Sequence, residues 1–193
     1  SSGSNDNLFI PAASIAKASH GKLAPQFGAG WKIRPDVLLY GSHSSSFQNS
    51  IANLQIANVP SGPANPSVSK GYEVGVKTDF LSGRVSSTMS FYTIEQQDRV
   101  IGFNTTSPAC LILGNRMHGT LDRSLGAELE VTWSPTGSFQ IFASGALNDV
   151  RVIKVPAGAD YLLGSHPENT AQTLANLWAR YSFPAGTAKG LWV

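Results

Sequence analysis

The feature that most constrains this chain is a strict two-residue alternation of apolar and polar side chains, clearest in residues 70–93, KGYEVGVKTDFLSGRVSSTMSFYT. The stretch has two arms around Leu81-Ser82-Gly83. One face of the first arm carries Tyr72, Val74, Val76, Thr78 and Phe80. The second arm repeats the pattern with Val85, Met89 and Phe91. This spacing predicts a β-hairpin whose strands each have one apolar and one polar face.

The same alternation recurs along the chain, separated by Pro- and Gly-containing turns. The further alternating segments are residues 27–33, 37–42, 124–133, 139–147 and 175–183, and the chain ends where another would begin. Together with the central hairpin they predict an all-β fold, an antiparallel meander of about seven to eight long strands. We find no helical pattern.

The predicted connections are of two kinds. Short turns fall at 34–36, 81–83, 134–137 and 184–189, whereas long segments fall at 48–69, 104–119 and 153–169. Loops this long are uncommon in compact soluble domains, in which hairpin loops have about 2–5 residues. Short turns on one side and long loops on the other are typical of an outer-membrane β-barrel.

Composition narrows the classes of function. Charged residues make up 13% of the chain, about half of the usual share of roughly 25%. The net charge is +2 and the basic residues are scattered, so there is no electrostatic footprint for nucleic acid. No apolar run approaches the ~18 residues of a membrane-spanning helix. The first residues lack the basic start and apolar stretch of a secretory signal.

The apolar faces have two properties that suit lipid. Their middle stretches carry no charge, since the mid-strand charges all fall on the opposite face: Glu73, Lys77, Glu128, Glu130 and Arg180. Aromatic side chains stand on the apolar face beside each short turn: Trp31, Phe80, Trp133, Phe139 and Phe183. In a sheet they would form a row, which predicts an aromatic girdle at a membrane interface. A soluble β-sandwich used for binding remains open, because it also has one apolar and one polar face. A passive porin-like barrel is a further alternative.

Several motifs resemble one known family. The hairpin that begins GYEVGVKT, at 71–84, resembles a "YEVGVK…DGR" hairpin, and residues 124–135 resemble an "SRGVELE…SP" hairpin. Residues 177–183, LWARYSF, are similar to an "LWTTYRF" strand, and residues 25–47 fit a "PRFGL…LYASYSESF" pair. The family is that of TonB-dependent outer-membrane receptors of the ferric-siderophore type. The similarity extends from about Leu23 to Phe183, although Arg123-Ser124-Leu125-Gly126 departs from the family's Ser-Arg-Gly.

The resemblance implies a 22-stranded transmembrane barrel filled by an N-terminal plug domain, in the outer membrane of a Gram-negative bacterium. It implies active import of a scarce ligand, typically a ferric siderophore, with outer-membrane lipid, the plug and TonB as partners. We expect residues 1–193 to be a partial barrel domain that lacks the signal peptide, the plug and the final strands. An open sheet would leave two unpaired edges, which lipid does not tolerate.

No catalytic or metal-binding constellation is present in the sequence, so we predict neither an enzyme nor a cofactor. The four histidines have no metal-ligand spacing with one another or with Cys110. Cys110, Met117 and His118 share one predicted loop, in which a lone thiol is favoured over a soft-metal site. The resemblance places ligand contacts on lumen-facing residues near the outer mouth and on the long loops. We select candidates by two criteria, the end of the strand on which a residue lies and the face it is expected to occupy. They are Tyr92, Arg116, His118, Arg123 and Asn148. The resemblance also places five charges deeper in the lumen, where we expect them to pair with each other or with the plug: Glu73, Lys77, Glu128, Glu130 and Arg180.

Overall fold

The computed structural model describes residues 21–48, 66–99, 101–102, 116–117, 120–155 and 159–193. For residues 101–102 and 116–117 it describes the backbone alone. The strands are β1 Gln26–Arg34, β2 Val37–Gln48, β3 Ser67–Phe80, β4 Val85–Gln97, β5 Ile101–Gly102, β6 Arg116–Met117, β7 Leu121–Thr136, β8 Phe139–Lys154 and β9 Thr173–Tyr181. One 3-10 turn spans Asp160–Leu162. Among the described residues, no helix is long and apolar enough to cross a membrane.

Seven strands form one antiparallel sheet in the order β1-β2-β3-β4-β7-β8-β9, and β5 pairs separately with β6. Consecutive strands of the large sheet are therefore neighbours, and the predicted all-β meander is confirmed. The chain's end begins a further pairing, because the backbone N–H of Val193 donates to the Tyr181 carbonyl at 3.0 Å. This contact lies where the sequence predicted the start of another strand.

The pairing register separates the sheet into two faces, as the alternation predicts. One row across the sheet consists of Trp31, Leu39, Val76, Met89, Leu129, Gly145 and Ala175. The adjacent row on the other side consists of Lys32, Leu38, Lys77, Thr88, Glu130, Ser144 and Asn176. We call the face of the first row the apolar face and that of the second row the polar face.

The apolar face is not covered by another layer in the described part of the chain. Trp31 is 69% exposed, Val74 59% and Phe91 52%. The buried hydrophobic residues described are Val68, Val152 and Ala159, none of them in the middle of this face. A β-sandwich needs two sheets packed about 10 Å apart. Seven of the nine described strands form one sheet, and the described residues contain no second large sheet packed against it, so the sandwich alternative is wrong.

The turns step down the sheet in a regular stagger. A row through Val37 also contains Thr78 and Ala143, and the first hairpin turns at this row. The second hairpin continues two residues further, to Phe80, and the third continues four, to Phe139. The stagger is thus one residue per strand. With a rise of ~3.3 Å and a spacing of ~4.8 Å, this corresponds to a strand tilt of about 35°, as in β-barrels.

One turn lies beyond its predicted position. The sequence placed a turn at 134–137, whereas β7 continues to Thr136 and the turn is Gly137-Ser138. The extension has a structural cause: the Ser134 N–H donates to the Arg84 carbonyl at 2.7 Å, which keeps β7 in the sheet past the irregularity between Trp133 and Thr136. Pro135 therefore occupies an irregular strand position rather than a turn.

Candidate functional site

The polar face contains a cavity of about 310 Å³ that spans β2, β3, β4, β7 and β8. Its polar lining consists of Ser42, Ser44, Glu73, Tyr92, Ser124, Glu128 and Asn148. The register explains the grouping, because Glu73, Tyr92, Gly126 and Asn148 are successive partners in one row. The volume lies at the lower end of the range of small-molecule sites, about 300–1,000 Å³.

Two glycines on the polar face make room for tyrosine rings from the neighbouring strand. Tyr40 is the register partner of Gly75, and Tyr92 is the partner of Gly126. A Cβ atom at Gly75 would come within 2.7 Å of both the Tyr40 ring and the Met89 carbonyl oxygen. A Cβ atom at Gly126 would overlap the Tyr92 ring. Both rings therefore lie along the sheet, over positions that only glycine leaves open.

Hydrogen bonds fix the side chains around the cavity. The Tyr40 hydroxyl donates to Oε1 of Glu73, from β2 to β3. The Ser124 hydroxyl donates to Oδ1 of Asn148 at 2.6 Å, from β7 to β8. The cavity thus presents hydroxyl, amide and carboxylate groups on adjacent strands, an arrangement that suits a polar ligand with many donors and acceptors.

The five predicted lumen-facing charges all lie on the polar face. The sequence offered pairing with each other as one role, but no described ion pair joins them. Instead, Glu73 accepts from Tyr40, the Lys77 Nζ lies 5.3 Å from the Tyr40 ring centroid, and Arg180 lies 5.7 Å from that of Trp192. Cation–aromatic contacts at this distance are favourable.

The predicted ligand-contacting residues separate into three groups. Tyr92 and Asn148 share one row and both line the cavity. Arg123 is placed wrongly by the prediction: it pairs with Glu95 and Arg151 two residues beyond Leu125, so it lies on the apolar face. Only the backbone of Arg116 is described, and His118 lies outside the described residues, as does Cys110.

The predicted aromatic girdle follows the stagger of the turns. Trp31, Phe80 and Trp133 lie on the apolar face and are 69%, 41% and 45% exposed. Phe139 pairs with Tyr181 on that face, and Phe183 packs edge-on against Tyr181 with ring centroids 5.1 Å apart. Their role at a membrane interface stays a prediction.

Sequence reasoning missed part of the cavity. Ser42, Ser44 and Ser124 were not candidates, although the alternation already places them on the polar face. The sequence signal that could have found them is a glycine opposite a tyrosine. The Tyr92 ring lies over Gly126 on the neighbouring strand and reaches toward the residues around it.

A second polar cluster lies at the strand ends opposite the short turns. Arg99 donates through Nε to Oδ2 of Asp122, whose side chain is only 6% exposed. The Thr120 hydroxyl donates to the Arg99 carbonyl at 3.2 Å, and the Asp98 N–H donates to the Thr120 carbonyl at 2.9 Å. These contacts join the end of β4 to the start of β7. In the described part of the chain, no group of three His, Cys, Asp or Glu residues is arranged for a metal.

Comparison with known proteins decides the family. The family model described as "TonB dependent receptor-like, beta-barrel" matches residues 1–193. The chain belongs to the TonB-dependent receptor family. Members of this family are outer-membrane receptors of Gram-negative bacteria, and the resemblance seen in the sequence is confirmed.

Individual TonB-dependent receptors are distant in sequence and close in fold. The metal-pseudopaline receptor CntO of Pseudomonas aeruginosa is 24% identical over 166 residues, which is 86% of this chain and 22% of the receptor. The ferripyoverdine receptor of the same species has a TM-score of 0.62 at 18% identity, covering 88% of this chain and 21% of that one. For the siderophore receptor PiuA of Acinetobacter baumannii the TM-score is 0.64 at 20% identity, with 82% and 23% covered. The chain thus spans about a fifth of the length of these relatives.

Proposed function

We propose that this chain forms part of the barrel wall of an outer-membrane receptor that imports a ferric siderophore or a similar metal chelate. One observation carries the proposal: a polar cavity lies on one face of a sheet whose other face is apolar, exposed and free of charge in its middle. In a barrel the first face lines the lumen and the second meets lipid. Relatives named for metal-pseudopaline and ferric pyoverdine support the ligand class.

The proposal includes further chain beyond these seven strands. In the described sheet, β1 pairs only with β2, and the far side of β9 is paired only at its end, where Tyr181 meets Val193, so most of both edges is open. Unpaired backbone groups are costly in hydrocarbon, so closure requires additional strands. We call the protein that contains this segment, the remaining strands, the plug and the TonB contact the complete receptor. The family supports this composition, and energy for import would reach the plug through TonB.

We expect Tyr92 and Asn148 to contribute to ligand affinity. Replacing Tyr92 by phenylalanine or Asn148 by alanine in the complete receptor should raise the Kd for its ferric chelate by about three- to tenfold each, since each change removes one hydrogen bond. Gly126→Ala should act similarly by displacing the Tyr92 ring and should add little to Tyr92→Phe. Binding is measured by quenching of intrinsic fluorescence on titration with the chelate.

Thr93→Ala is the matched control, because Thr93 is adjacent to Tyr92 but lies on the apolar face. Its Kd should stay at the wild-type value. Equal Kd values for Thr93→Ala and Tyr92→Phe would contradict the role of the cavity. Chelate uptake that persists without TonB would favour the passive porin-like barrel instead.

A further inference from the structure

The apolar face changes character at the strand ends opposite the short turns. Here the register aligns Ser45, Lys70, Glu95, Arg123 and Arg151 in one row across β2, β3, β4, β7 and β8. Four of these five residues are charged, whereas the rows in the middle of the same face carry no charge. We call this row the charged row.

The height of the charged row can be obtained from the strands themselves. In β3, ten residues separate Lys70 from Phe80, and in β7 ten residues separate Arg123 from Trp133. Ten residues span about 33 Å along a strand, or about 27 Å along the barrel axis at a tilt of about 35°. The apolar band of outer-membrane barrels is about 25 Å tall. Lys70 therefore lies just past the band. Arg123, two strands further along a row that rises about 2.7 Å per strand at this tilt, lies about 5 Å higher, so both are at the headgroup level of the far leaflet.

Aromatic stacking marks the level directly below. Phe27, His43 and Tyr72 are successive partners in the adjacent row of the apolar face. The ring centroids of Phe27 and His43 are 5.0 Å apart, and those of His43 and Tyr72 are 4.6 Å apart. Tyrosine, whose apolar ring carries a polar hydroxyl, is enriched at the boundary between hydrocarbon and headgroups. The same row continues through Thr93 and Leu125 to Asp149, so the apolar face gives way to charge at this level.

Two of the three basic side chains of the charged row are available to a ligand. Arg151 already pairs with Asp149 at 2.8 Å. Lys70 and Arg123 are exposed, and neither lies within 4.0 Å of a described carboxylate. The backbones of Lys70 and Arg123 are two strands apart, about 10 Å. Both long side chains can therefore reach a single headgroup that lies over Glu95, the residue between them in the row. Lysine and arginine form short, charge-assisted hydrogen bonds with phosphate oxygens.

We propose that Lys70 and Arg123 form a binding site for the phosphate of an anionic lipid headgroup in the outer leaflet. The inference rests on the proposed function, since it requires the apolar face to lie in a membrane. A lipid suits the site better than a soluble anion, because the exposed apolar surface of Leu125 and Val74 continues directly below the basic groups and can contact acyl chains. Arg123 thus has a role outside the lumen.

The test uses the complete receptor in phosphatidylcholine nanodiscs that contain bisphosphorylated lipid A or its dephosphorylated form. Retained lipid is counted by native mass spectrometry. The wild type should retain the phosphorylated form, and the double variant Lys70→Gln/Arg123→Gln should bind it about 25-fold more weakly, about fivefold per basic group. The control Lys77→Gln/Arg180→Gln removes the same charge from the polar face and should bind like the wild type.

Each contrary outcome has a separate meaning. If the two double variants retained phosphorylated lipid A equally, or if the wild type retained both lipid forms equally, the lipid site would be overturned. The membrane-embedded receptor would be unaffected by either result. Binding of inorganic phosphate to detergent-solubilised receptor, lost in the Lys70→Gln/Arg123→Gln variant, would assign the site to a soluble anion and overturn the lipid. Failure of the wild type to insert into nanodiscs would contradict the proposed function itself.

Discussion

Replacing Ala143 by arginine should strongly destabilise the complete receptor in a bilayer. Ala143 lies on the apolar face of β8, between Val131 and Leu177 and near mid-height of the sheet. An arginine that faces lipid at the midplane costs about 2–4 kcal/mol. The free energy of unfolding, measured by urea titration in lipid vesicles with tryptophan emission as the signal, should fall by that amount.

The neighbouring position supplies the matched control. Ser144 is similar in size and lies on the polar face, with Glu130 as its register partner on β7. Ser144→Arg should leave the stability within about 0.5 kcal/mol of the wild type, as is usual for surface substitutions. If both variants lost the same stability, or neither did, the assignment of the two faces to lipid and lumen would be contradicted.

Removing Arg99 should also be strongly destabilising, and more so than removing its partner. Asp122 is 6% exposed and Arg99 is 30% exposed, so the carboxylate depends on the guanidinium more than the reverse. Breaking a buried ion pair by removing one partner costs about 3–5 kcal/mol. We expect Arg99→Met to approach that cost. Asp122→Ala should cost less, because Arg99 can turn to solvent. The measurement is again urea titration of the complete receptor.

The double variant Arg99→Met/Asp122→Leu separates charge from packing. It removes both charges and should recover most of the stability lost in Arg99→Met, since no buried charge is left without a partner. Hydrogen exchange should show the loss first at residues 98–99 and 120–124, where the pair joins β4 to β7. A larger loss for Asp122→Ala than for Arg99→Met would contradict this account.

The sequence was sufficient for the sheet because its alternation is a local property that the backbone enforces. Tyr72 and Val74 share a face in any extended strand, and the short turn at 81–83 leaves β4 no partner nearer than β3. The end of β7 could not be predicted in the same way. Pro135 favours a turn locally, whereas the hydrogen bond from the Ser134 N–H to the carbonyl of Arg84, the turn residue that directly precedes β4, keeps β7 in the sheet.

Site residues could be predicted only where the face of the sheet that a residue occupies is enough to place it beside the cavity. Alternation and position along the strand are enough to place Tyr92 and Asn148 on the polar face near the loops, and their contact with a ligand stays a prediction. Arg123 was assigned to the lumen-facing side, although its parity with Leu125 places it on the apolar face, and the register corrected it. The contacts of Tyr92 with Gly126 and of Ser124 with Asn148 depend on which strands are neighbours. No single strand carries that information.

The central claim is that one face of this sheet meets lipid and the other lines the lumen of the barrel, and spin-label accessibility along β8 tests it most directly. A nitroxide is attached to single cysteines at positions 141–146 of the complete receptor in lipid vesicles, with Cys110 and any other cysteine replaced by serine. Its collisions with oxygen, which dissolves in hydrocarbon, are compared with those of a water-soluble nickel chelate. Positions 141, 143 and 145 should favour oxygen, and positions 142, 144 and 146 should favour nickel. Equal exposure to the nickel chelate at all six positions would contradict the account.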